Sequence, residues 1–122
     1  MTVVVVMADL FFSATIIGIA KKLGMTVRLV TDGAKALECA RMKPAAVIFD
    51  LNYAAADPVG LIRQIRANAE TQDIPVIGFV SHVQVELKQR ALEAGCDPVL
   101  TRSVFAQRLP EILAQAAVTA RS

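Results

Sequence analysis

Two runs of the chain are apolar at every position, Val3-Val4-Val5-Val6-Met7 and Ala45-Ala46-Val47-Ile48-Phe49. A strand with no polar side is buried on both faces, so each run predicts a strand inside a sheet that helices cover front and back. Pro75 to Val80 predicts a third strand of this kind, with proline near its start, where a missing N–H is tolerated. Thr26 to Val30 is shorter and alternates, which suits an edge, and Pro98 to Thr101 predicts a last short strand. Between the strands the apolar positions change to helical spacing. They are Phe12, Ile16, Ile19, Ala20 and Leu23, then Ala36, Leu37 and Ala40, and then Leu61, Ile62 and Ile65. Leu87, Ala91 and Ala94 mark a fourth helix, and Leu109, Ile112, Leu113 and Ala116 a fifth.

The boundaries carry their own signals. Asp9 is an N-cap for the first helix, which has Lys21 and Lys22 in its last turn and Gly24 as its stop. Thr31-Asp32-Gly33 is a turn and helix start, and Pro44 closes the helix that follows. Asp57-Pro58 is an N-cap followed by proline at the first helical position; Arg63 and Arg66 then point outward as solvated surface. Ser81-His82-Val83-Gln84 has the pattern of a capping box, and Gly95 stops the helix behind it. Pro110 either begins the regular part of the last helix or kinks it, and residues from Val118 onward fray.

Five strands thus alternate with five helices, without repeats, linkers or low-complexity segments. Short strand–helix connections require right-handed crossovers and hence a parallel sheet covered on both faces. The expected form is an α/β doubly wound sheet with strand order 2-1-3-4-5, one domain over residues 1–122.

Composition changes this picture in two places. The residues are 55% hydrophobic and the mean hydropathy is +0.52, so some apolar surface is left over, which points to a protein partner or to self-association as a homodimer. No uninterrupted apolar run reaches the roughly 18 residues of a bilayer span. The Val3–Met7 stretch has no basic residue before it and is not a signal peptide, so a cytoplasmic location is expected. Thirteen basic and eleven acidic residues give a net charge of +2 with no basic cluster, which excludes a nucleic-acid footprint. Cys39 and Cys96 lack metal-ligand or CxxC spacing; at opposite ends of the expected sheet order, they read as free buried thiols.

The candidate chemistry centres on Asp50. It ends a strand that is otherwise wholly apolar, at the carboxyl edge where open α/β sheets place their sites. An unpaired charge there costs several kcal/mol, on the order of the penalty for any buried charge, so Asp50 is expected at a cleft mouth.

With these elements in order, the chain resembles a response-regulator receiver domain of the chemotaxis type, with a flavodoxin-like fold, over nearly its whole length. The matching pieces are Thr31-Asp32-Gly33-x3-Leu37, Val47-Ile48-Phe49-Asp50-Leu51-Asn52, Ile74-Pro75-Val76-Ile77 and Ala94-Gly95-Cys96-Asp97. The resemblance implies a two-component phosphorelay switch in which Asp50 is the phosphoacceptor. Mg²⁺ would be held by an acid pair after strand 1, by the acceptor, and by the main-chain carbonyl of Asn52.

The chain departs from that pattern around the acceptor. Met7-Ala8 or Ala8-Asp9 stands where the family has two acids, leaving Asp9, Asp50 and Asn52 as a weak metal set. Val80 takes the place of the hydroxyl ending strand 4, with Ser81 one step later on the other face of the strand. Arg102 takes the place of the lysine ending strand 5, Ser103 that of the following proline, and Val99 that of the switch aromatic. Ser81 and Arg102 are therefore the phosphate-site or switch candidates, and Ser81 reads first as a cap.

Arg102 is expected to pair with Asp50 across the cleft, supplying the charge balance that metal and phosphate would otherwise supply. His82, the only histidine, reads as a surface or capping residue. The chain thus resembles an atypical receiver, a non-enzymatic module that binds a protein partner such as a kinase or an output protein, with phosphorylation weak or absent. The alternative is a working phosphoacceptor. A third reading, a flavodoxin-like cofactor binder, lacks a glycine or hydroxyl cluster in Met7-Ala8-Asp9-Leu10-Phe11-Phe12.

Overall fold

A five-stranded parallel sheet with order β2-β1-β3-β4-β5 organises the molecule, as the alternation of elements predicts. The structure is a computed structural model that describes residues 1–121. The strands are β1 (Thr2–Val6), β2 (Thr26–Val30), β3 (Ala46–Asp50), β4 (Val76–Val80) and β5 (Val99–Thr101). The helices are α1 (Leu10–Lys22), α2 (Gly33–Ala40), α3 (Pro58–Ala67), α4 (Val85–Ala94) and α5 (Arg102–Arg121), with a 3-10 turn at Ala54–Ala56.

The apolar strands are central because each must bury two faces. Along β1, Val3 and Val5 pack with Ile16 and Ala20 of α1 and with Phe105, Leu109 and Leu113 of α5. Val4 and Val6 point the other way, into a second layer built with Ala36, Cys39 and Ala40 of α2 and with α3 and α4. This strict alternation leaves α1 and α5 on one face of the sheet and α2, α3 and α4 on the other. Among the described residues no helix is long and apolar enough to cross a membrane.

The caps fix where α1, α2 and α3 start. Asp9 accepts the N–H groups of Phe11 and Phe12, Asp32 that of Ala34, and Asp57 that of Gly60. Asp57 adopts a left-handed backbone (φ +50°), a conformation that aspartate tolerates better than most side chains. Gly24 (φ +73°) follows α1, and Gly95 (φ +116°) ends α4, both as expected. Cys39 and Cys96 are free and buried, and burial pushes the Cys96 thiol up to about 12.

Several local expectations give way to tertiary contacts. Ser81 does not cap α4: the cap position is Gln84, with no side-chain cap bond, because Ser81 and Gln84 are held from another loop. Leu23 is not an inward residue; it ends α1 and is exposed. Arg66 is not solvated surface. Its guanidinium donates to the carbonyls of Gly95, Gln72 and Ile74, tying the end of α4 to the segment that enters β4.

The last helix also differs from expectation. α5 runs on through Val118 to Arg121, and the fraying expected at Ser122 lies outside the described residues. Pro110 lies within α5 rather than at its start. The helix follows β5 without a loop, so Arg102 is its first residue.

Candidate functional site

β1, β3 and β4 end along one edge of the sheet, and register decides what meets there. Asp50 stands opposite Phe79, and strand alternation puts both on the α1/α5 face together with Ile48 and Ile77. Asp50 is only 8% exposed, so its carboxyl is largely withdrawn from water. Oδ1 accepts the N–H of Asn52 at 3.0 Å. Burial lifts the carboxyl above its ordinary value, while the Asn52 N–H and then Arg102 pull it back down.

Arg102 enters this edge from the first turn of α5. Its Nη1 donates to Asp9 Oδ2 at 2.8 Å, and its Nη2 lies 3.8 Å from Asp50 Oδ2. The expected Arg102–Asp50 pairing therefore exists as the longer arm of a fork whose hydrogen-bonded arm goes to Asp9. Asp9 does two jobs at once. Oδ1 caps α1 and Oδ2 takes the guanidinium; the Phe12 N–H bond, then Arg102, hold this carboxyl below its ordinary value.

The guanidinium rests on rings. Its carbon is 4.8 Å from the Phe12 centroid and 5.6 Å from that of Phe79, within cation–π range. Phe79 is in turn stacked on Phe105 at 4.9 Å and meets Phe12 edge-on at 5.2 Å. The Nε of Arg102 is buried and has no hydrogen-bond partner, so Nη1, Nη2 and the rings hold the side chain. Reading each helix by itself misses this platform. The signal was present, since Phe12, Phe79 and Phe105 are apolar residues on three elements that the strand order places side by side.

Asn52 links two loops at the same edge. Its Oδ1 accepts the backbone N–H of Ser81 at 2.8 Å, and its Nδ2 donates to Gln84 Oε1 at 2.8 Å. The sequence points to Asn52 only for its main-chain carbonyl, because its side-chain bond spans a sequence separation of 29 residues. Ser81 thus joins the site through its backbone. Val80, buried in the α2–α4 layer, leaves no hydroxyl at the end of β4. Gly78 allows the exit of β3 to pack closely, since a Cβ there would meet Leu51 Cδ1 at 2.7 Å and Cys96 Sγ at 2.8 Å. His82 is exposed, with its Nδ1 3.3 Å from the neighbouring Val83 carbonyl.

The donor set fits a resident divalent ion poorly. Two carboxylates face the cleft, the Asn52 carbonyl accepts the Ala54 N–H at 3.0 Å, and a cationic side chain already lies between Asp9 and Asp50. Among the described residues no group of three or more His, Cys, Asp or Glu side chains could hold a metal ion. A phosphate-cradling site at the start of α1 is also pre-empted, because the Asp9 carboxylate takes the N–H groups of Phe11 and Phe12.

Comparison with known proteins agrees with this architecture. Residues 3–114 match the family described as the response regulator receiver domain. The response regulator MprA of Mycobacterium leprae is 33% identical over 93 residues, covering 75% of this chain and 39% of that protein. The sensor histidine kinase RcsC of Salmonella typhi is 31% identical over 93 residues, covering 75% of this chain and 10% of that protein. The chain therefore spans well under half the length of these curated relatives. The receiver domain of a sensor histidine kinase from Pseudomonas aeruginosa, solved with magnesium in its active-site cleft, superposes with a TM-score of 0.80 at 23% identity. That likeness covers 93% of this chain and 94% of that one.

Proposed function

The chain belongs to the response regulator receiver domain family, and we propose that it serves as a non-enzymatic signalling module that binds other proteins, with phosphorylation of Asp50 weak or absent. The observation that carries this reading is the guanidinium of Arg102 shared between Asp9 Oδ2 at 2.8 Å and Asp50 Oδ2 at 3.8 Å. Phosphoryl transfer to a carboxylate adds negative charge at the acceptor, and catalysis depends on positive groups placed to meet it. Here the one cation at the site gives its hydrogen bond to Asp9 and has only the longer contact left for Asp50. The missing hydroxyl at Val80 removes a further donor.

Exposed apolar side chains support the binding half of the proposal. Leu10 and Phe11 begin α1 and are 73% and 92% exposed; Val83 and Val85 flank the start of α4 at 75% and 74%. Apolar surface at the rim of a signalling edge suits cover by a kinase, an output protein or a second copy of the chain.

One observation favours the working phosphoacceptor. Asp50 Oδ2 lies beyond hydrogen-bonding distance of Arg102, so this oxygen is not tied up in a hydrogen bond to it. Incubation with Mg²⁺ and acetyl phosphate, followed by intact mass, separates the two readings. The expected result is no mass change. Gain of one phosphoryl group, absent in Asp50→Asn, would make the chain a functioning acceptor.

A further inference from the structure

We propose that Arg102 is the resident cation of this site and that its guanidinium keeps closed a latent divalent-ion site between Asp9 and Asp50. The inference rests on the reading of the chain as a receiver domain, and not on whether Asp50 accepts a phosphoryl group.

The two carboxylates divide their oxygens in the same way. Oδ1 of Asp9 is spent on the N–H groups of Phe11 and Phe12, and Oδ1 of Asp50 on the N–H of Asn52. Oδ2 of each turns to the guanidinium. The oxygens left for any cation are thus the two that Arg102 already spans.

The guanidinium is also placed rather than loosely attracted. Phe12 and Phe79 lie beneath it, Phe105 backs Phe79, and α5 presents the side chain directly from the end of β5. A surface arginine would rotate freely between water and several acceptors. This one gives up hydration at Nε to stay where it is.

Charge completes the argument. Two carboxylates and a guanidinium sum to one negative charge, and a divalent ion beside them would turn the cluster positive with two cations in contact. With the guanidinium gone, two negative charges face the ion, and ligand charge sets much of the affinity of an oxygen site.

Mn²⁺ provides the probe, with the free ion counted by electron paramagnetic resonance at neutral pH and constant ionic strength. Arg102→Met keeps an apolar stem over Phe12 and Phe79 while removing the charge; circular dichroism confirms its folding. The expected result is Mn²⁺ binding at least about tenfold tighter in Arg102→Met than in wild type, lost again in Arg102→Met/Asp50→Asn. Equal binding in wild type and Arg102→Met, whether tight or undetectable, overturns the proposal. If Arg102→Met does not fold, Arg102→Gln makes the same comparison, because it also removes the positive charge while keeping a polar side chain at the cleft. Tighter binding than wild type supports the proposal, and equal binding overturns it. A phosphoryl mass gain in wild type would overturn the functional reading above without touching this comparison.

Discussion

Arg102 reaches Asp9 at 2.8 Å and Asp50 at 3.8 Å, so its shorter bond goes to the residue that caps α1 rather than to the one that ends β3. This asymmetry joins the first turns of α1 and α5 across the carboxyl edge of the sheet. It also makes Asp50 the less satisfied of the two acids.

Double-mutant cycles should detect that ranking. In urea denaturation, Asp9→Asn with Arg102→Met is expected to give a larger coupling energy than Asp50→Asn with Arg102→Met. The Asp9 coupling should shrink as salt is added, since both side chains are about one-third exposed and are screened. A larger coupling for Asp50 would mean that the fork is inverted in solution.

The two acids should also respond to pH in opposite directions. Asp50 has a folded pKa raised above 3.8, so the folded state holds its proton more tightly than the unfolded chain does. The stability this contributes is present at low pH and is lost as pH rises from 3.8 through the folded value. Asp9 has a lowered folded pKa, so its contribution is present above 3.8 and is lost as pH falls through the folded value. Asp50→Asn keeps an acceptor for the Asn52 N–H and should raise the melting temperature at pH 7. Asp9→Asn should lower it there. Melting curves between pH 3 and pH 7 check both signs.

Asn52→Ala should loosen the loop between β4 and α4 without unfolding the sheet. It removes an acceptor from the Ser81 N–H and a donor from Gln84, both outside regular structure. The expected loss is about 1–2 kcal/mol, with amide exchange at Ser81 speeding up well before that of β4. Unchanged exchange at Ser81 would show that the loop does not depend on this side chain.

Arg66→Ala should cost more than a surface substitution. Three carbonyls lose a charged donor, two of them in part-buried contacts, for an expected loss of about 2–4 kcal/mol in urea denaturation. Arg66→Lys should recover only part of it, because one ammonium cannot match a guanidinium spread over Gly95, Gln72 and Ile74. A loss below about 0.5 kcal/mol would return Arg66 to solvated surface.

The sequence by itself determined most of what depends on neighbours a few residues apart. The doubly buried strands follow from unbroken apolar runs, and the helix faces from apolar spacing. The caps at Asp9, Asp32 and Asp57 follow from short side chains that reach N–H groups two or three residues on. Parallel strands with short helical crossovers leave few topologies, so the order 2-1-3-4-5 and the place of Asp50 at a strand end were legible as well.

Only the tertiary structure decided which partner each polar side chain takes. Ser81-x-x-Gln84 has the local pattern of a cap, yet the amide of Asn52, 29 residues earlier, takes the Ser81 N–H. Arg66 has the spacing of an exposed position, yet carbonyls at the end of α4 and before β4 lie within its reach. Arg102 had one acid in view from the sequence and found a closer one 93 residues away. The reason is geometric. A hydrogen bond or ion pair is won within a few ångströms, and which groups arrive there depends on strand register and on how helices seat against the sheet. Periodicity encodes which face is buried. It does not encode which of two carboxylates on that face lies nearer a guanidinium.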